Sequence, residues 1–298
     1  MTSPAAHGPA PSVPLALTVH RPVPASGRAL VLLHGFPVDH RMWDDVAALL
    51  AGAPHAAPGW GLLAPDLPGL GASPLPDAAP SVDVSAAAVA RALDDAGVSS
   101  AVVVGMSMGG YVALALLRRR PDLVSALGLV DTKHTADAPE ARENRERVAR
   151  AVEQSGSVDA VRDMSVSLLA PSARGSRTDL SARVAALIGA QAPDGIAWSQ
   201  RAMAARGDSA QVLRDFSGPV AVVVGDEDDV TPPSAAAQMS ALTADAVLTT
   251  VPSAGHLAAM EQPREVAAVL AALVARAWPQ HPARPPAARL SPPGPAEA

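Results

Sequence analysis

The chain has 298 residues and no cysteine. Disulfide frameworks, thiol nucleophiles and zinc–thiolate sites are excluded together, so any nucleophile must be oxygen or nitrogen. Aromatic side chains are almost as scarce, with two Phe, one Tyr and four Trp. A binding site in such a chain has to be lined mainly by aliphatic and methionine side chains. Positive charge is short as well: Lys plus Arg total 23 against 29 Asp plus Glu, a formal net charge of −6, and no basic run exceeds Arg118-Arg119-Arg120. A nucleic-acid backbone would find no electrostatic footprint on it. The N-terminus lacks the basic start and apolar stretch of a secretory signal, so a cytoplasmic location is expected. One run, Ala96 to Leu117, carries no charge and has the length of a membrane span. Gly97, Gly105, Gly109 and Gly110 divide it instead into a buried strand (Ala101–Val104), a glycine turn and a buried helix (Gly110–Leu117), and no membrane association is expected.

What is present is a globular composition, 49% apolar and 17% charged, sufficient for a large core. Short β-branched runs alternate with helical patterns. Ala29–Leu33 precedes Met42–Ala51, Gly61–Ala64 precedes Val84–Ala96, and Ala101–Val104 precedes its helix. Then come Ala126–Val130, Val220–Val224 with Ser234–Leu242, and Ala246–Val251 with Arg264–Ala277. This alternation predicts an α/β fold, a mostly parallel sheet flanked by helices. Between Thr132 and Phe216 the alternation stops, and amphipathic helical stretches such as 143–154 and 179–191 take over. The expected organisation is a core of 14–131 and 217–278, a helical cap of 132–216, and flexible Pro/Ala-rich tails at 1–13 and 279–298. Ligands of open α/β sheets bind outside the carboxyl ends of the strands, so a cap leaving Val130 is placed to roof such a site.

Gly105-Met106-Ser107-Met108-Gly109-Gly110 lies between the strongest strand and the strongest helix, the context in which G-x-S-x-G marks a nucleophile. A serine on so sharp a turn has a strained backbone, and the residues two before and two after it must be minimal for strand and helix to approach. Gly105 and Gly109 meet that demand. The helix behind Ser107 also aims its free N-terminal amides at any anion formed on a substrate.

A neutral hydroxyl needs a base, and the base needs an orienting acid. Of eight histidines, His7 and His281 fall in the tails, His55 in a Pro/Gly loop, and His20 ahead of the core strands. His34 reads as a brace of the loop that holds it. His256 follows the strand ending at Val251 and precedes a helix, so it is the candidate base. For the acid, Asp226, Glu227, Asp228 and Asp229 follow one strand and Asp131 follows another; the order nucleophile, acid, base requires one of them to turn inward. Two backbone amides should stabilise an oxyanion. One is that of Met108, directly after the nucleophile. The other follows Leu33, where Gly35 permits a tight turn and Pro37 has no N–H, leaving Phe36 as donor.

Together these motifs resemble the α/β-hydrolase superfamily of serine esterases and lactonases. The matching segments are HGFP at 34–37 with Trp43 after it, PDLPGLGAS at 65–73, GMSMGG at 105–110, GDEDDVTPP at 225–233 and GHLAAMEQP at 255–263. The resemblance implies the α/β-hydrolase fold, its helical cap inserted after strand 6, and neither cofactor nor metal. In this family the acid falls at the fourth place of a G-x-x-D-x-x-x-P pattern, which here is Asp228, with Pro232 closing it. The implied catalytic set is Ser107, Asp228 and His256, with Phe36 and Met108 as oxyanion-hole donors. The spacing is most similar to 3-oxoadipate enol-lactonases and small carboxylesterases, so the expected reaction is hydrolysis of a small to medium ester or lactone. Members that open epoxides or displace halides carry aspartate in place of Ser107. Carbon–carbon hydrolases, acyltransferases and cofactor-free perhydrolases keep the serine and are alternatives, as are members that bind ligands without turnover. Met106, Met108, Leu168, Trp198 and Met203 are expected to line the substrate pocket.

Overall fold

The computed structural model describes residues 13–52 and 59–279. The expected tails lie outside this range except for residues 13 and 279, and so do His7, His55 and His281. The first half of the chain forms β1 (Leu17–Arg21), β2 (Arg28–Leu33), α1 (Asp44–Gly52), β3 (Gly61–Pro65), α2 (Val82–Asp95), β4 (Ser100–Met106), α3 (Met108–Arg119) and β5 (Val124–Val130). Five helices follow: α4 (Pro139–Ser155), α5 (Met164–Ser167), α6 (Thr178–Gly189), α7 (Pro193–Ala205) and α8 (Ala210–Asp215). The chain then returns through β6 (Val220–Gly225), α9 (Pro233–Ala241), β7 (Ala246–Val251), α10 (Ala258–Glu261) and α11 (Pro263–Ala277).

The seven strands make one sheet in the order β1-β3-β2-β4-β5-β6-β7, with β1 antiparallel to β3 and every other neighbour parallel. β4 is buried from Ala101 onward, because helices cover both faces of a parallel sheet and a Val-rich run suits that setting. α3 is buried from Met108 to Leu117, and Arg118 and Arg119 in its last turn complement the negative end of the helix dipole. The uncharged run from Ala96 to Leu117 thus divides between β4 and α3. No helix among the described residues is long and apolar enough to cross a membrane.

Boundaries shift where capping decides them. α2 begins at Val82 because the Ser81 hydroxyl accepts the Asp83 N–H at 3.1 Å. The helix expected over Met42–Ala51 is a 3-10 turn, His40–Trp43, capped by Asp39, followed by α1. α3 begins directly after Ser107 instead of at Gly110, so a single residue separates strand from helix. β1, an edge strand with no fully buried residue and a polar His20-Arg21 end, lacks the apolar run that marks the other strands in the sequence.

Chain order places the site. From β2 the chain crosses to β3 on one side, while β4 lies on the other, so the carboxyl ends of β2 and β4 flank a topological switch point where ligands of such sheets bind. Leu33 pairs with Gly105, which brings the segments after both strands out side by side. Residues 132–216 leave from β5 at Val130, the fifth strand among the described residues, and contain α4 to α8 with no strand. α4 starts with Pro139 and stops where Gly156 takes a left-handed φ of 61°. This helical insertion is fastened to the core loops. A Cβ on Gly195 would run into the carbonyl oxygen of Gly69, and the Gln191 side chain accepts the Gly71 N–H and donates to Asp39, both at 2.8 Å.

Candidate active site

Ser107 occupies the one-residue junction between β4 and α3 with φ 50° and ψ −114°, a left-handed conformation that costs a non-glycine residue on the order of 1–3 kcal/mol. The surroundings hold it there. Its N–H donates to Val130 O at 2.9 Å, and the Thr132 hydroxyl donates to its carbonyl at 2.8 Å. A Cβ at Gly105 would strike the Gly109 carbonyl, and one at Gly109 would strike the Leu33 and His34 carbonyls. Both glycines are therefore steric requirements of the turn.

Three strand ends supply a chain of hydrogen bonds. The Ser107 hydroxyl donates to His256 Nε2 at 2.8 Å. His256 Nδ1 lies 2.9 and 3.1 Å from the two oxygens of Asp228. An ionised carboxylate can only accept, so Nδ1 carries the proton and the Nε2 lone pair faces the hydroxyl. Asp228 also accepts the N–H groups of Val230 (2.8 Å) and Thr231 (2.9 Å) and the Thr231 hydroxyl (2.7 Å). Burial, with 3% of the residue exposed, pushes the Asp228 carboxyl up; the hydrogen bonds and charge of His256, with those of Thr231, outweigh burial and hold it below the usual carboxylate range. Asp228 is therefore ionised at neutral pH.

The backbone N–H groups of Phe36 and Met108 have no protein partner among the described residues. That of Met108 is one of the orphan amides at the start of α3. A Cβ on Gly35 would stand 3.5 Å from Ser107 Cβ, so the loop carrying Phe36 lies against Ser107. The arrangement can attack a carbonyl, shuttle one proton and receive a developing oxyanion.

The sequence matches the profile of the alpha/beta hydrolase fold family over residues 28–263. The chain belongs to the α/β-hydrolase family. Lipase LipV of Mycobacterium tuberculosis is 38% identical over 128 residues, 43% of this chain and 46% of LipV, so the match spans less than half of that relative. A pimeloyl-[acyl-carrier protein] methyl ester esterase of Chromobacterium violaceum is 30% identical over 238 residues, 77% of this chain and 87% of that protein. Among solved structures, a thermophilic esterase from Thermogutta terrifontis superposes with a TM-score of 0.81 at 30% identity, covering 88% of this chain and 93% of that one.

In this α/β-hydrolase the rival acids have other partners. Asp226 and Asp229 are exposed, Asp226 accepting the Ala254 N–H and Asp229 facing Arg174. Glu227 accepts the N–H of Ser172 at 2.8 Å and its hydroxyl. Asp131 is fully buried, but its two oxygens accept the N–H groups of Gly225 (2.9 Å) and Ala258 (3.0 Å). Burial and the nearby Asp228 charge push its carboxyl up to about 7. His34, also fully buried, donates from Nδ1 to Gly35 O at 2.9 Å and accepts the Leu67 N–H on Nε2 at 2.8 Å, which is the geometry of a loop brace. His20 lies in β1.

Of the expected pocket residues, Met106 ends β4 beside Gly35, Met108 is the first residue of α3, and the Leu168 carbonyl accepts the His256 N–H at 2.9 Å. Trp198 and Met203 are buried on α7. Trp198 donates to Ala78 O, and Met203 lies beside the ion cluster of Arg145, Arg206 and Asp137. Among the described residues one group, Asp39, His40 and Asp66, has the spacing of metal ligands. Its carboxylate oxygens are already held by Arg41, Gln191, His40 and Ala72, which makes it a brace of the loops after β2 and β3. Thr231 and Glu261 lie inside recognised motifs that assign them no role; burial and partners, which no motif records, single them out.

Proposed function

We propose that this protein is a serine hydrolase that cleaves a carboxylic ester, or a lactone, of a small to medium substrate through an acyl-enzyme. The observation that carries the reading is the unbroken set of bonds from Ser107 through His256 to Asp228 at a topological switch point. As Ser107 Oγ attacks the carbonyl carbon, His256 Nε2 takes the hydroxyl proton, and Asp228 stabilises the imidazolium and keeps its orientation. The Phe36 and Met108 amides receive the negative charge that develops on the carbonyl oxygen. His256 returns the proton to the leaving oxygen; a water deprotonated by the same nitrogen then attacks the acyl carbon and frees the acid.

Relatives named as a lipase, a methyl ester esterase and an esterase support an ester over the lactone of the enol-lactonase resemblance. The scarcity of aromatic residues favours aliphatic over stacked aromatic acyl groups. A panel of p-nitrophenyl esters of increasing acyl length, with simple lactones and an enol-lactone, tests the proposal on the wild-type protein and Ser107→Ala. The expected result is turnover that falls on the order of 10⁶-fold in the variant. Equal rates in the two proteins would refute it.

A further inference from the structure

We infer that Asp131 and Glu261, two buried carboxylates outside the Ser107–His256–Asp228 chain, are positioning residues that clamp the backbone on either side of His256. Glu261 accepts the Gly255 N–H at 2.8 Å with one oxygen and the Ala170 N–H at 2.9 Å with the other. Asp131 accepts the Ala258 N–H at 3.0 Å and the Gly225 N–H at 2.9 Å. The His256 N–H itself donates to Leu168 O at 2.9 Å. The amides of residues 255, 256 and 258 are thus held by three separate parts of the chain, and no water need satisfy them.

Each carboxylate also joins the histidine segment to something else. Asp131 links it to Gly225, from which the Asp228 loop departs. Glu261 links it to Ala170 of the helical insertion. The close approaches agree: a Cβ on Gly225 would strike the Ala254 and Gly255 carbonyls, and a Cβ on Gly255 would strike the Ala170 N–H. Acid loop, histidine loop and insertion are stacked backbone on backbone, joined directly where the Glu227 N–H donates to Ala254 O and the His256 N–H to Leu168 O, both at 2.9 Å, and the two buried carboxylates add a side-chain bond on either side of His256.

The choice of carboxylate is informative. Residue exposure is 0% at Asp131 and 4% at Glu261, and neither has a Lys, Arg or His salt bridge among the described residues. A buried acid in this setting is costly. Once ionised it is an acceptor only and takes one N–H on each of its two oxygens, whereas an amide would turn an NH₂ toward one of them. A displacement of about 1 Å at a reacting group can lower turnover by two orders of magnitude, so such bracing bears directly on rate.

This inference rests on the proposed ester hydrolysis, and its test separates the two. Asp131→Asn and Glu261→Gln are compared with wild type for kcat and KM on a p-nitrophenyl ester, and the downfield His256 Nδ1 proton is followed by NMR. The expected result is a kcat lower by about 10- to 100-fold with KM within about 3-fold, together with a shifted or broadened Nδ1 resonance. Where an amide variant does not fold, Asp131→Glu and Glu261→Asp, which keep both acceptor oxygens but move them, carry the same measurement, with a smaller kcat loss expected. Unchanged kcat and resonance, or a rise in KM alone, would overturn the inference. A wild type that hydrolyses no ester would overturn the proposed function, and the resonance would still report on the clamp.

Discussion

Replacing Asp131 by Asn should change how stability depends on pH. The Asp131 carboxyl is raised from 3.8 to about 7 by burial and by the charge of Asp228. In the unfolded chain it ionises near its ordinary value, so between about pH 4 and 7 the folded state holds a proton that the unfolded state has lost. Stability therefore falls as pH rises through that window, and the full cost is carried above pH 7. The gap is roughly three pH units, which at 1.36 kcal/mol per unit is about 4 kcal/mol. The amide that replaces the carboxyl in the variant does not titrate. Subtracting the unfolding free energy of Asp131→Asn from that of wild type should give a curve that drops by about 4 kcal/mol between pH 4 and pH 7 and is flat beyond either end. Urea unfolding followed by circular dichroism at half-unit pH steps provides both curves. A flat difference from pH 4 to 8 would mean that Asp131 ionises normally in the folded protein, and the burial penalty assigned to it would be wrong.

Two further outcomes follow from the site and the insertion. Asp228→Asn should lower kcat on the order of 10⁴-fold by disturbing the imidazole tautomer, whereas Asp226→Asn, at an exposed side chain, should stay within about 2-fold when both are assayed on one ester. Gly195→Ala places a methyl against the Gly69 carbonyl and should lower Tm by several degrees in a thermal melt, while Gly189→Ala, where a Cβ meets open space, should hold or raise it.

The fold could be read from the sequence because its signals are long and periodic. β-branched runs separated by amphipathic stretches give a parallel sheet, and β7 spans the same residues, Ala246–Val251, that the pattern marks. Ser107 and His256 stand out for a related reason: each follows a strand at a turn whose glycines have no other explanation. The acid does not. Asp226, Glu227, Asp228 and Asp229 are equivalent as letters, and what separates them is the turn that buries the third while exposing the first and last. Family resemblance favours Asp228; composition cannot. Asp131 resembles a competitor because it also follows a strand, and only its two backbone donors give it a different place. Glu261, Thr231 and Gln191 act across 91, 3 and 152 residues of chain respectively, and the longer of these contacts leave no local signature.

Everything proposed for the chemistry depends on Ser107 being a nucleophile activated by His256. The decisive experiment incubates wild type, Ser107→Ala and His256→Ala with a fluorophosphonate probe and locates the adduct by peptide mass spectrometry. One adduct on Ser107 is expected in wild type, none in Ser107→Ala, and labelling slowed by orders of magnitude in His256→Ala. Folded wild type that stays unlabelled, or equal labelling in all three proteins, would show that Ser107 is not an activated nucleophile.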